Sequence, residues 1–199
     1  MSVIDWIDAH GNFVESLLAA GAIVLAILGF KSWRLEMRGK TQYALARRVL
    51  ADVYAVRNAI SMVRNILMVG EEFAARPGRN PQSKESTPED VLYAYEKRWD
   101  RLAEPSNKLD LDLIEAEVLW GKALQKHASE LRACIIELQL NLSRHLRTLR
   151  DESFARRLPE DARKEIMAVV YAGGKNDALA ERVNKAVEGF EAVLKRHIQ

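Results

Sequence analysis

The feature that most constrains this chain is an uncharged stretch close to its beginning. Residues 16–30, SLLAAGAIVLAILGF, carry no charged side chain, and the apolar run extends back to Phe13. As an α-helix, residues 13–30 would be about 27 Å long, which is close to the thickness of the hydrocarbon core of a bilayer. A helix that is apolar on every face lies in a protein core or in lipid. We predict a transmembrane helix over residues 13–30.

The charges on the two sides of this stretch differ in sign. Residues 1–15 contain three acidic residues and no Lys or Arg, whereas residues 31–64 contain eight basic and two acidic residues. Basic loops stay on the cytoplasmic side of a membrane. We therefore expect residues 1–12 to be extracytoplasmic and residues 31–199 to be cytoplasmic, in a single-pass protein of the bacterial inner membrane. A cleaved leader would begin with a basic segment, and this one is acidic. The core helix of a soluble protein stays open as the alternative.

Side chains at the two ends of the predicted span suit the membrane interface. Trp6 and Trp33 are placed as interfacial anchors, because indole rings favour the headgroup layer. Basic residues follow the span directly, and we expect them to meet lipid headgroups: Lys31, Arg34, Arg38 and Lys40. Within the span, four small residues with spacings of 3, 4 and 3 form one stripe for contact with another membrane helix: Ala19, Ala22, Ala26 and Gly29. The predicted partners are membrane lipids and either a second copy or another membrane protein.

The cytoplasmic part has the pattern of an all-α protein. Val49, Val53, Val56, Ile60, Val63 and Leu67 follow a heptad-like spacing that is typical of a coiled-coil seam, and a second such seam runs from Leu124 to Leu149. We predict that the membrane helix continues to about residue 70. We expect a short helix over 88–104, capped by Thr87 and ended by Pro105. A long helix over 110–152 would then pack antiparallel on residues 31–70. Two C-terminal helices would complete the fold, and the last of them would turn four apolar residues inward: Val183, Val187, Phe190 and Leu194.

This predicted hairpin has an electrostatic consequence. The last turns of the long return helix carry Arg144, Arg147 and Arg150. In an antiparallel hairpin these arginines would come back to the inner leaflet and join the basic residues after the span as headgroup ligands. The alternative is a solvated helix face with acidic neighbours, and the sequence leaves both open.

One segment resembles a known family. Over residues 32–65 the chain is similar to a segment of uncharacterised small bacterial single-pass membrane proteins, with the pattern W-x-x-E-x-R-G-K-T-x-Y-x-L-A-R-R followed by an apolar helix ending in V-R-N. The matching residues are Trp33, Glu36, Arg38, Gly39, Lys40, Thr41, Tyr43, Leu45, Ala46, Arg47, Arg48, Val63, Arg64 and Asn65. The resemblance covers about a sixth of the chain. It implies a membrane anchor followed by a cytoplasmic helix, and it implies no activity.

No residue pattern predicts catalysis, and we expect neither a cofactor nor a metal. His127 and His145 are 18 residues apart, so a helix separates them by about 27 Å. The net charge of +2 gives no reason to expect a nucleic-acid partner. The leading hypothesis is a membrane-anchored, non-enzymatic helical scaffold or protein-interaction module that is oligomeric. The alternative is a regulatory or effector subunit, of the stress-response or phage-response type, that acts through association of its membrane helices.

Overall fold

The computed structural model describes the backbone of residues 3–80, 83, 85–173 and 176–198, and the side chains of these residues from Leu18 onward. The helices are α1 (Val3–Val63), α2 (Glu71–Ala74), α3 (Pro88–Trp120), α4 (Gln125–Arg150), α5 (Glu152–Arg157), α6 (Glu160–Val170) and α7 (Ala178–Ile198). A 3₁₀ turn over Gly121–Leu124 joins α3 to α4. No strand occurs in the described ranges, which confirms the all-α prediction. The chain divides into two compact units, residues 1–44 and 45–199.

The second unit is a four-helix bundle, formed by residues 45–63 of α1 together with α3, α4 and α7. Ion pairs define how α3 runs against α1, because Arg48 pairs with Asp112 and Asp52 pairs with Lys108. Residue numbers rise along one helix as they fall along the other, so α3 is antiparallel to α1. We call the end of the bundle at Leu45 the near end and the end at Val63, where α1 stops, the far end.

The other two helices complete an alternating arrangement. Helix α7 is antiparallel to α1, since Tyr54 bonds Glu191 and Arg64 bonds Asp177. Helix α4 is antiparallel to α3, because Arg132 pairs with Asp110 while the ring of His145 lies beside that of Tyr95. It is antiparallel to α7 as well, because Glu137 pairs with Arg182 while the ring of His127 lies beside that of Phe190. Helix α4 therefore runs parallel to residues 45–63.

This topology corrects the predicted hairpin. The helix that runs back against α1 directly after the 64–87 connection is α3, and the prediction that residues 110–152 form one helix antiparallel to α1 is wrong. The chain turns at Gly121, whose backbone angles of φ 61° and ψ −144° no ordinary side chain adopts without strain. Residues 110–120 belong to α3, and α4 starts only at Gln125.

Helix α3 also continues through Pro105, where the sequence predicted its end. A proline inside a helix costs one backbone hydrogen bond and a clash with the preceding turn. Against that cost, α3 buries one side chain every seven residues on both sides of Pro105, with the series Tyr95, Leu102, Leu109 and Ala116. Burial contributes about 1.5–3 kcal/mol for each of the larger side chains in this series. The continuous apolar seam therefore outweighs the cost of the proline.

The predicted apolar seams form most of the core. Val49, Val53, Val56, Ile60 and Val63 are buried, but Leu67 is 72% exposed because α1 ends at Val63 and the chain turns away. In α7 the predicted inward residues are all buried: Val183, Val187, Phe190 and Leu194. The predicted start of α3 is confirmed, since the Thr87 side chain accepts a hydrogen bond from the backbone of Asp90 and the Asp90 carboxylate accepts one from the backbone of Thr87.

Candidate functional site

The first candidate is the apolar part of α1 within residues 1–44. By length and composition, the helix stretch Leu18–Val63 contains a segment able to cross a membrane, and none of that segment is buried. Its large side chains lie open, with Leu25 at 71% exposure. A helix in the core of a soluble protein would be covered by its own chain, and this one is not. Exposed apolar surface of this extent is costly in water, which makes this segment a candidate site of interaction.

The small-residue stripe lies on this helix as the spacing predicts. Ala19, Ala22 and Ala26 are exposed, and a methyl group built on Gly29 would meet no atom within 4 Å. In a helix these four positions fall within one narrow sector, because three or four residues make about one turn. The stripe is therefore available to a neighbouring helix.

The basic segment after the apolar stretch is also exposed on the helix. Lys40 pairs with Glu36 at 2.7 Å, and the guanidinium of Arg34 lies 6.0 Å from the centre of the Phe30 ring. Trp33 is exposed beside Phe30, with 5.9 Å between the ring centroids. Lys31 and Arg38 are exposed as well. The side chain of Trp6, the other predicted anchor, lies outside the described residues.

The predicted return of arginines to the membrane loses its basis. Arg144, Arg147 and Arg150 lie in the last turns of α4, and α4 ends at the far end of the bundle because it runs parallel to residues 45–63. About 18 residues of helix, or roughly 27 Å, separate that end from Leu45. Arg147 stacks on Phe154, 4.3 Å from the ring centroid. This is one local contact on the helix face, and the binding of lipid headgroups by these three arginines stays a prediction.

Two buried arginines close the far end of the bundle, and sequence reasoning missed both. The Arg98 guanidinium on α3 donates to the backbone oxygens of Asn65 and Leu67 and to both carboxylate oxygens of Glu72. It thereby fixes the chain that leaves α1. The available signal was a basic residue placed one turn from Tyr95 and from Leu102 on the apolar face of a predicted helix.

The second buried arginine, Arg64, fixes the end of α6. Its guanidinium donates to the backbone oxygens of Ala168, Val169 and Tyr171 and to the carboxylate of Asp177, at 2.7–3.2 Å. These carbonyls end helix α6 and have no partner within it. A buried charge with a full set of partners is a structural anchor rather than a group held ready for a substrate.

A buried histidine lies next to these anchors. His145 on α4 contacts the hydroxyl of Tyr171, with 3.0 Å between Nε2 and the phenol oxygen, and the ring of Tyr95 meets it edge-on. Burial lowers the pKa of His145, because charging the ring in an apolar site is costly. Burial, followed by the contact with Tyr171, raises the pKa of Tyr95 well above its ordinary value. The cluster is a neutral, packed contact between α3, α4 and the end of α6.

Three further residues of α4 that could bear chemistry are engaged in local or packing contacts. Glu137 and Asn141 could have formed a polar row with His145, but Glu137 pairs with Arg182 and the Asn141 amide donates to a backbone oxygen of its own helix. Cys134 is buried, and burial raises the pKa of its thiol, which opposes formation of a thiolate. Among the described residues no group of three or more His, Cys, Asp or Glu side chains could hold a metal ion.

A cluster of opposite charges joins α1 to α3 towards the near end. Arg48 binds Asp112 at 2.8 Å and also pairs with Glu115, while Lys108 binds Asp52 at 2.8 Å. Asp52 is buried in spite of its charge. The cluster fixes the register of α3 against α1.

No known family model, curated protein or solved structure is similar enough to this chain to match it. The molecule is therefore defined by its own geometry, as an all-α protein with a four-helix bundle and one uncovered apolar helix.

Proposed function

We propose that this protein is a membrane-anchored helical scaffold or protein-interaction module, oligomeric and without catalytic activity. The observation that carries the proposal is the contrast between the two units. The apolar stretch of α1 has no cover from its own chain, whereas the bundle buries a continuous core. A chain of this kind places a folded module at a membrane.

The proposed orientation follows from the charge asymmetry. The acidic segment before the span faces out, and residues 31–199 face the cytoplasm of a bacterial cell at its inner membrane. Lys31, Arg34, Arg38 and Lys40 then lie among anionic headgroups, where each basic side chain near the surface contributes about 1 kcal/mol. Trp33 and Trp6 anchor the two ends of the span.

The contacts of the buried polar groups support a non-enzymatic role. Arg64 and Arg98 bind backbone oxygens and carboxylates of their own chain, and His145 packs against two tyrosines. These groups are occupied in holding helices together.

Extraction of membranes with alkaline carbonate tests the anchor. We expect the full chain to remain in the membrane pellet, and the double variant Val24→Arg/Leu28→Arg to be extracted. Each arginine at the centre of a span costs about 2.5–3.5 kcal/mol. The control is Leu111→Arg/Ile114→Arg, which places the same charges at two exposed positions on α3 and should stay in the pellet.

Extraction of the wild-type chain by carbonate would overturn the anchor. The orientation is tested separately, with a reporter that is active only in the periplasm fused after Gln199. We expect no reporter activity, and a periplasmic signal would contradict the cytoplasmic bundle while leaving the anchor intact.

The alternative function is a regulatory or effector subunit that works through association of membrane helices. The stripe of Ala19, Ala22, Ala26 and Gly29 favours it, because small residues let membrane helices approach closely. Crosslinking of the variant Ala22→Leu/Ala26→Leu in membranes tests this alternative.

A further inference from the structure

One buried carboxylate of the bundle has an oxygen without a hydrogen-bond donor. Asp52 on α1 is only 3% exposed, and its Oδ1 accepts a hydrogen bond from the Lys108 ammonium at 2.8 Å. Its Oδ2 is fully buried and has no hydrogen-bond partner among the residues that the structure describes. An unpaired oxygen of a buried carboxylate is costly, so this position asks for a donor that the two helices do not supply.

The register of the two helices places a second carboxyl group, that of Asp112, on the turn of α3 that faces Asp52, because Arg48 pairs with Asp112 and Asp52 pairs with Lys108 one helical turn along each helix. Burial raises the pKa of Asp52, and interaction with Asp112 raises it further, while the hydrogen bond from Lys108 opposes the rise. Asp112 Oδ2 accepts from Arg48 Nε at 2.8 Å, and Arg48 also pairs with Glu115. The charged groups around Asp52 in the described structure are thus Arg48 on its own helix and Lys108, Asp112 and Glu115 on α3.

The hydrogen-bonding groups of this cluster favour a proton over a metal ion as its ligand. Two ionised carboxylates cannot hydrogen-bond each other, but a carboxyl and a carboxylate can. A metal ion would compete with Lys108 and Arg48, which already occupy one oxygen of Asp52 and one of Asp112. A single proton on Asp52 Oδ2 gives the orphaned oxygen a hydrogen to donate to Asp112 and displaces neither base.

We propose that Asp52 and Asp112 bind one solvent proton between them, and that this proton tightens the packing of α3 on α1 as the pH falls from neutral. The site would act as a proton-dependent latch towards the end of the bundle where residue 45 enters it. This inference is independent of whether the apolar helix lies in a membrane.

The direction of the pH effect follows from linkage. The pKa of Asp52 is higher in the folded chain than its ordinary value of 3.8, so between those two values the folded state holds more protons than the unfolded state. The free energy of unfolding contributed by this group therefore increases as the pH falls through the interval between these two values, and this contribution is lost as the pH rises through the folded pKa. His145 at the far end acts oppositely, because burial lowers its pKa and the folded state loses stability as the pH falls below about 6.5.

The test compares Asp52→Asn with the wild-type full chain in detergent micelles. The amide keeps the size of the side chain, accepts from Lys108 with its oxygen, and donates permanently to Asp112. Hydrogen exchange of peptides from residues 45–63 and 100–116 is followed between pH 4 and pH 8, a range that starts at the ordinary pKa of an aspartate, and is corrected for intrinsic exchange rates. We expect Asp52→Asn to be better protected than wild type at pH 7.5, by up to about tenfold for each unit of pKa shift, and the two proteins to converge as the pH falls.

Asp110→Asn is the matched control. It makes the same substitution on α3, at a half-exposed side chain that pairs with Arg132. Its protection should follow the wild type at every pH.

Two results would overturn the latch. Lower protection of Asp52→Asn at pH 7.5 would show that the ionised pair with Lys108 holds the helices, and an offset from wild type that does not change with pH would show that no proton is involved. Asp112→Asn gives a second readout that does not depend on the first variant folding. We expect it to move the midpoint of the wild-type pH response to lower pH, and an unchanged midpoint would mean that the proton is not shared.

Discussion

At the scale of single residues, the far end of the bundle depends on Arg98. Its guanidinium lies between α3 and the chain leaving α1, where it binds two backbone oxygens and the carboxylate of Glu72. The side chain is buried, so its partners have no water to replace it. Removal of such a buried partner leaves the groups that it bound unpaired and desolvated, which is strongly destabilising, whereas a surface ion pair contributes little to stability.

Replacement of this arginine gives the first prediction. We expect Arg98→Met to lower the free energy of unfolding by about 3 kcal/mol, because it leaves the Glu72 carboxylate and two backbone oxygens unpaired. Arg101→Met, an exposed position on the same helix, should change it by less than about 0.5 kcal/mol. Urea unfolding of the full chain in detergent, followed by circular dichroism, measures both.

The unpaired carboxylate of Glu72 should account for part of the stability lost in Arg98→Met. The double variant Arg98→Met/Glu72→Met should recover some stability relative to Arg98→Met, since it removes the unpaired charge. If Arg98→Met unfolds at the wild-type urea concentration, the role of Arg98 as an anchor is wrong.

At the scale of elements, Gly121 decides where the chain turns. It ends α3 with φ 61°, and a methyl group built on it would meet no atom within 4 Å. The position is thus open in space but closed to most side chains by backbone strain. The cost of a side chain at Gly121 is therefore conformational and involves no steric overlap with neighbouring residues.

We therefore predict that Gly121→Ala lowers the free energy of unfolding by about 1–2 kcal/mol, through backbone strain alone. Gly70→Ala is the control, because Gly70 has φ −54° and the same open surroundings. It should be neutral or slightly stabilising. Equal effects of the two substitutions, measured by the same urea unfolding, would contradict the assignment of Gly121 as a strained turn.

The sequence predicted elements better than their arrangement. The start of α3 was correct because Thr87, Pro88 and Asp90 encode a local motif. The core of α7 was correct because its apolar spacing is regular. The predicted topology was wrong because two positions were interpreted from their local sequence alone. Pro105 suggested the end of a helix, but packing of the apolar seam continues the helix past it. Gly121 was treated as an ordinary helix position, but the chain turns there.

The buried charges show the same limit within the candidate site. Arg98 meets partners 26 to 33 residues away, and Asp52 meets Lys108 at a separation of 56 residues. No local pattern gives such pairings. Their signal is the placement of a charged residue within or beside an apolar seam, as with Asp52 next to Val53.

At the scale of the whole molecule, the two units differ in whether their apolar side chains are covered by protein. The bundle covers its own core with its own helices, including buried side chains from α1, α3, α4 and α7. The apolar stretch of α1 is uncovered from Leu18 onward. Lipid can cover that surface from all sides, and a second helix can cover one side of it.

The small-residue stripe predicts which side a second helix would take. Ala22→Leu/Ala26→Leu adds two large side chains to the stripe and should reduce crosslinked dimers severalfold in membranes, because the helices can no longer approach closely. Ala20→Leu/Val24→Leu is the control. It adds bulk to the other side of the same helix, keeps the span apolar, and should leave crosslinking unchanged.

The pattern of the two variants separates the proposed functions. Loss of crosslinks only in the stripe variant supports association through the membrane helix and favours the regulatory or effector role. Unchanged crosslinks in both variants would remove the stripe as a contact, and oligomers of the scaffold would then have to form through the bundle. Equal loss in both variants would indicate that added bulk disturbs insertion itself, which the carbonate extraction of the same membranes measures directly.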